Sequence, residues 1–410
     1  MTYRDIDLNL TEEQRFLRDT VRKFGAEVVR PAGLVLDKLA DPADAIAKDS
    51  VFWDVTRQFR ELGLHLSELP QSVGGTMEDM DAMSHIFLTE ELGYADAGLA
   101  ISMAVSSLPY SMAAIFPNPK LQEIARAFAE DTKGELMGCW AISEPDHGTD
   151  YMIDVADPAI SPSVKGMLKG DEYIINGQKA AWVSNGTIAT HAVLHVGLDP
   201  SRGMKGQGLA IIPLDLPGIS RAKPLDKIGQ RPLNQGEIIF EDARIPKEYM
   251  VVTPEMGLIE LGREARLSQV NGGMALVFAG LAKAAYDEAF NYASERIQGG
   301  VPINEHQNIQ LKLFRMFNQV EAARAAARRM TLFNFGNPTP SGAHAVACKC
   351  LSTETAFAVA SEAIQIHGGN GLTREYPIEK MFRDARASMI EDGVNESLML
   401  GAFQYLTANN

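Results

Sequence analysis

The chain has 410 residues, 46% of them hydrophobic, and a formal net charge of −15. That size and apolar content support large cores in two or three domains, while the acidic balance without basic clusters excludes nucleic acid and anionic membrane as principal partners. Residues 1–7 form no basic and apolar leader, no uninterrupted apolar run approaches twenty residues, and the odd set Cys139, Cys348 and Cys350 suits a reducing compartment, so a cytoplasmic protein without a membrane span is expected.

The first third reads as helical. Thr11 and Gln14 are spaced as a capping box ahead of the apolar stripe Phe16, Leu17, Val21 and Phe24. Asp41-Pro42 marks a loop before a helix over 50–62, Pro70 to Gly75 a turn, and a helical pattern over 81–92 leads into a small-residue run over 95–107. Between about 136 and 240 the pattern changes to short apolar runs broken by glycine and proline. Tyr173-Ile174-Ile175, Asn176-Gly177 and the stretch 178–184 carry a hairpin signature, because Asn-Gly readily adopts the positive φ of a type I′ turn. Strands continue over 192–196, 209–213 and 237–240. After Ile245-Pro246 the helical period returns, with Ile309, Leu313, Phe317 and Val320 on one face and Arg315, Arg324 and Arg328 elsewhere. Alanine-rich stretches over 279–289 and 343–363 favour close helix packing. The expected fold class is multidomain α+β: a helical domain over 1–134, a central β domain over 135–247 and a helical bundle over 248–410. Cys348-Lys349-Cys350 is too tight and too isolated for zinc, so no metal site is expected.

Four segments carry chemistry. Trp140-Ala141-Ile142-Ser143-Glu144-Pro145 runs from an apolar strand into a turn, and Gly148-Thr149 can present amides and a hydroxyl to phosphate. Trp182-Val183-Ser184-Asn185-Gly186 alone would be a hairpin with a core tryptophan. In Gln365-Ile366-His367-Gly368-Gly369 the glycines let backbone amides approach a ligand, although a helix C-cap explains them equally well. About twenty residues beyond these glycines, Arg383-Asp384 and Ile390-Glu391-Asp392-Gly393-Val394 place an acidic pair that could remove a proton. Together these segments resemble the acyl-CoA dehydrogenase family, and the resemblance covers nearly the whole chain.

The resemblance implies FAD between the β domain and the C-terminal helices, with an acyl-CoA thioester between the cofactor and the catalytic segment. Trp140, Ile142, Ser143, Gly148 and Thr149 are then cofactor contacts, Ser143 at the pyrimidine edge, with His147 where the family usually has a small residue. Trp182 would cover a ring face and Ser184 would hydrogen-bond N5, in a segment one residue longer than the usual lysine-to-tryptophan spacing. Arg296, Gln307, Gln365, Gly368 and Gly369 resemble contacts offered to a neighbouring subunit's flavin, and Arg296 suits pyrophosphate because its planar donors match phosphate oxygens. Gly299-Gly300 replaces the usual Phe-Gly there. Cross-subunit contacts imply at least a dimer, and the family suggests a homotetramer.

The main departure lies in the catalytic segment. Ungapped from Arg383-Asp384-Ala385, Asp392 falls where most members carry glutamate, and Val394 where they carry threonine beside the cofactor. Asp392 would take the α proton as a β hydride moves to flavin N5, giving an enoyl-CoA; Glu391 is the alternative base. A base on the earlier helix is disfavoured, since Val270 and Asn271 occupy the matching positions. Asn271 also replaces a usual arginine, leaving Arg266 as a substitute substrate contact, with Gly393 beside the base. Leu233 and Gln235 replace smaller polar residues. An aspartate base also occurs in relatives acting on alicyclic acyl-CoA thioesters, so the resemblance implies a cyclic or branched acyl group, with a straight chain still open. The implied acceptor is an electron-transferring flavoprotein. Two other readings share the cofactor motifs: a nitroalkane-type flavin oxidase, and a flavin-binding subunit of a hetero-oligomeric dehydrogenase.

Overall fold

A computed structural model describes residues 5–6, 9–152, 157 and 159–408. Six helices come first: α1 (Glu12–Phe24), α2 (Arg30–Lys38), α3 (Val51–Glu61), α4 (Ala82–Ala95), α5 (Ala97–Ile115) and α6 (Pro119–Glu130). Thr11 caps α1 through the expected reciprocal bonds with Gln14, and Ser50, Asp81 and Asp96 cap α3, α4 and α5 with side-chain oxygens. Val21 and Phe24 are buried as the stripe requires, but Phe16 is 75% exposed. One helical turn spreads a stripe over a wide arc, and Phe16 falls outside the part that faces α4. Helix α5 is, by length and composition, apolar enough to cross a membrane, although serines and Pro109 interrupt its apolar run. It instead lies in the core, where Leu99, Ile101, Met103 and Tyr110 are buried.

The central sheet comprises β1 (Gly138–Ala141), β2 (Lys165–Lys169), β3 (Glu172–Lys179), β4 (His191–Gly197), β5 (Gln207–Pro213), β6 (Ile219–Arg221), β7 (Ile238–Pro246) and β8 (Met250–Val252). Its order is β6-β7-β3-β2-β4-β5-β8, with β1 parallel to β4. The anticipated hairpin at Asn176-Gly177 is corrected: β3 runs straight through it, and the chain reverses instead at Gly170-Asp171 between β2 and β3. Gly177, at φ 129°, accommodates a register irregularity against β7, and the Asn176 amide is held by Asp242 on that strand (3.0 and 2.8 Å). Neighbouring strands on both sides outweighed local turn propensity.

The C-terminal part contains α7 (Leu258–Leu261), α8 (Arg263–Glu295), the short ribbon β9 (Ile297–Gln298) and β10 (Val301–Pro302), then α9 (Gln307–Asn334), α10 (Gly342–His367), α11 (Ile378–Ser388) and α12 (Asn395–Ala408). Helix α8 is enclosed by α4, α9 and α10, and it is apolar all round from Met274 to Ala282. Its crossing with α4 is close: a Cβ on Gly93 would lie 2.2 Å from the Val277 carbonyl oxygen, and one on Gly280 would lie 2.2 Å from that of Glu90. Arg324 and Arg328 of α9 turn inward to the buried Glu90 carboxylate (2.5 and 2.8 Å). All three cysteines are buried and unpaired.

Candidate active site

The site forms where all three parts of the chain meet. Helix α11 ends at Ser388, and the segment 389–394 reverses the chain into α12. Asp392 has φ 51° and Gly393 φ 105°. Aspartate enters the left-handed region more readily than longer side chains, and glycine without strain. A Cβ at 393 would also meet Leu398 at 2.9 Å.

Two anchors fix this turn. Buried Lys349 on α10 donates to the Gly393 carbonyl (2.7 Å) and to Asn395 Oδ1 (2.8 Å), both neutral acceptors. The second anchor comes from the β domain, where the Gln230 side chain donates to Glu391 Oε2 (2.8 Å) and its backbone amide to Asp384. Asp384 in turn shares the buried Lys380 ammonium (2.5 Å) with Asp96, the cap of α5 (2.6 Å). Thus one chain of polar contacts runs from the N-terminal helices through α11 to the acidic pair. Arg383 reinforces it, pairing with Asp37 of α2 (2.7 Å) and Glu379 (2.7 Å) while donating to the Ile228 carbonyl (2.7 Å).

The two adjacent carboxyls differ. Glu391 Oε2 is held by Gln230, and its Oε1 is buried without a partner among the described residues. Burial, aided by the charge of Asp392, pushes Glu391 up to about 7. Asp392 is half-buried and accepts no hydrogen bond among the described residues. Burial raises it to about 6, and the Lys349 ammonium restrains the rise.

The β-domain segments are set by a buried ion pair. Lys179 at the end of β3 donates to Glu144 Oε1 (2.8 Å) and to the Ile142 carbonyl (2.9 Å), and Tyr151 and Val164 add bonds to the same carboxylate (2.9 and 3.1 Å). The Ala180 amide meets the Ser143 carbonyl (2.9 Å), so the two segments lie side by side. Trp182 is 61% exposed, and Ser184 is half-buried opposite Gln235. Trp140 donates through Nε1 to His195 Nε2 (3.0 Å), and Ile142 is half-buried beside it. The Gly148 amide is engaged by Asp150 (2.6 Å) rather than open, and the same carboxylate meets His147 (2.5 Å). The Thr149 hydroxyl accepts from the Val394 amide (3.1 Å), which ties this turn to the segment that carries the acidic pair.

The remaining candidates lie elsewhere. Arg296, Gln307, Gln365, Gly368 and Gly369 are all exposed and gather at the opposite end of the bundle, where Tyr292 stacks on His367 (4.1 Å) and donates to its carbonyl (3.2 Å). Lys349 and Gln365 are separated along α10 by about 24 Å, at 1.5 Å per residue. Asn271 is wholly buried and bonds back to the Leu267 carbonyl (3.0 Å), while Arg266 is half-buried with Nε unpartnered. Sequence reasoning missed Lys349, Gln230 and Asn395. A lysine inside an alanine-rich buried helix was the available signal for the first.

Family profiles match three successive stretches: acyl-CoA dehydrogenase N-terminal domain over residues 11–130, middle domain over 139–243 and C-terminal domain over 264–402. The mitochondrial short-chain specific acyl-CoA dehydrogenase of Mus musculus is 31% identical over 390 residues, covering 95% of this chain and 89% of the relative. The cyclohex-1-ene-1-carbonyl-CoA dehydrogenase of Syntrophus aciditrophicus is 29% identical, covering 96% and 89%. Among solved structures, butyryl-CoA dehydrogenase of Megasphaera elsdenii superposes with a TM-score of 0.84 at 27% identity, covering 98% of this chain and 100% of that one.

Proposed function

Because this chain belongs to the acyl-CoA dehydrogenase family, we propose that it dehydrogenates a cyclic or branched acyl-CoA thioester to the enoyl-CoA with FAD as cofactor and Asp392 as base. The contrast between the two carboxyls carries the choice of base: both are half-buried, but Glu391 is bound by Gln230, whereas Asp392 accepts no hydrogen bond among the described residues.

The residues present fit a flavin. A large aromatic, Trp182, stands exposed beside Ser184, and a Cβ at Gly148 would meet nothing within 4 Å among the described residues. Trp140, Ile142, Ser143, Thr149, Trp182, Ser184 and Val394 would hold the ring end. When bound, FAD supplies the hydride acceptor. Asp392 takes the α proton: near neutral pH it is ionised, yet burial leaves it more basic than an ordinary aspartate. Lys349 favours the anion electrostatically and keeps the turn in place. Glu391 retains its proton to higher pH, limiting repulsion beside the base. Because aspartate is one carbon–carbon bond shorter than glutamate, about 1.5 Å, the α carbon must lie differently from that of a substrate served by glutamate. A cyclic or branched acyl group suits that change, and the name of the Syntrophus aciditrophicus relative supports it. Arg266 would face the thioester's CoA portion. The exposed cluster of Arg296, Gln307, Gln365, Gly368 and Gly369 would complete a neighbouring copy's site in a homotetramer, with an electron-transferring flavoprotein as acceptor.

Anaerobic mixing with cyclic, branched and straight-chain CoA thioesters tests this. At least one should bleach the flavin; Asp392→Asn should slow bleaching by about 10²–10⁴-fold, and Glu391→Gln by less than about tenfold. A large loss in Glu391→Gln with Asp392→Asn active would reverse the assignment. Bleaching by a nitroalkane with oxygen-coupled turnover would favour an oxidase, and bleaching only after addition of a homologous subunit would favour a partner subunit.

A further inference from the structure

Ser184 lies opposite Gln235 in an isolated antiparallel bridge, and the two side chains touch: Gln235 Nε2 lies 3.2 Å from Ser184 Oγ and 3.2 Å from the Trp182 carbonyl oxygen. At its other end, Gln235 Oε1 lies 2.8 Å from the Lys227 ammonium, which also donates to the Leu233 carbonyl (2.8 Å). Which end of an amide is oxygen must be argued from its partners, and here both ends agree. An ammonium only donates, so the atom facing Lys227 is the oxygen; a carbonyl only accepts, so the atom facing Trp182 is the NH2. Gln235 is 7% exposed, and its backbone carbonyl is held by the Leu225 amide (2.9 Å), which leaves the side chain little room to turn over.

A serine hydroxyl has one proton and two lone pairs. In this arrangement the Gln235 NH2 occupies a lone pair, and among the described residues the Ser184 hydroxyl has no other hydrogen-bond partner. Its proton is therefore free to point at an acceptor on the open side of Ser184. We propose that Lys227 and Gln235 form a positioning relay that fixes the Ser184 hydroxyl as a hydrogen-bond donor towards N5 of the bound flavin. This rests on the flavin-dependent reading above and adds a role for the glutamine. A small side chain at 235 could not span from Lys227 to Ser184, so the relay belongs to this chain's particular residue.

The relay is read by letting the holoprotein exchange to equilibrium with an equimolar excess of FAD and 5-deaza-FAD, which has carbon in place of N5. Chromatography of the released cofactor gives the bound ratio. Wild type should favour FAD by about fivefold, the worth of one hydrogen bond, and Ser184→Ala should remove that preference. Gln235→Glu keeps the shape and the Lys227 contact but offers Ser184 only acceptors, so the hydroxyl proton turns away and the preference should fall to the Ser184→Ala value. Gln235→Met, which removes both bonds without adding charge, should fall between and serves if the glutamate variant does not fold. A Gln235 variant with the wild-type ratio, or a wild type no more selective than Ser184→Ala, overturns the relay. If wild type binds FAD but no thioester bleaches it, the dehydrogenase reading falls and the ratio still decides the relay; if no flavin is taken up, both fall.

Discussion

Asp392 and Glu391 are neighbours in sequence, yet their surroundings separate their titration. With Asp392 at about 6, kcat/KM should rise with pH through that region and then level, and the lower limb should vanish in Asp392→Asn. Rates of flavin bleaching between pH 5 and 8 measure this; a limb near pH 4 would mean that the base is not buried in the working site. The same shifts bear on stability. Both carboxyls sit above their ordinary values when folded, so folding favours their protonated forms: the contribution is full below about pH 4 and is lost as pH rises through 6 to 7. Glu391→Gln removes its share of that loss. It should stabilise the protein at pH 8 by on the order of 1–3 kcal/mol and change little at pH 4, as denaturant melts at the two values would show.

At the scale of elements, a few closely packed junctions hold the site. The α4–α8 crossing leaves no room for a side chain at Gly280, whose Cβ would lie 2.2 Å from the Glu90 carbonyl oxygen. Gly280→Leu should cost at least about 1–3 kcal/mol, because neither helix backbone can retreat without disturbing its neighbours. Lys380 balances two buried carboxylates from different parts of the chain, Asp96 and Asp384. Lys380→Met leaves both uncompensated and should cost about 3–5 kcal/mol in urea melts. Since Asp384 also receives the Gln230 amide, thioester turnover should fall with stability. Unchanged stability would mean that these carboxylates find another partner or a proton.

For the whole molecule, the exposed cluster at the C-terminal end of α10 lies about 24 Å along that helix from Lys349, which anchors the acidic turn. One copy therefore presents its exposed cluster away from its own acidic turn, which fits the proposed composite sites between copies. Complementation tests this. Arg296→Glu and Asp392→Asn should each be inactive alone, but coexpressed they should regain part of the wild-type rate, because some sites then pair an intact base with an intact arginine. No recovery in purified mixed oligomers would argue that each chain builds its site alone.

Local chemistry made much of this protein legible. Capping residues such as Thr11 and Ser50, the change from helical to strand-like periodicity and back, and the motif residues Trp182, Ser184 and Asp392 depend on short stretches whose physics is contained within them. The sequence by itself therefore determined the α–β–α order and nominated the residues of the candidate site. Tertiary structure decided the rest, because it turns on distant partners. Strands on both sides turned Asn176-Gly177 from a hairpin into a bulge. Lys349, 43 positions before Asp392 in the sequence, supplies the charge beside it. Gln230, from the β domain, engages one member of the acidic pair and leaves the other uncommitted, a distinction that two adjacent carboxylates acquire only when the chain closes around them.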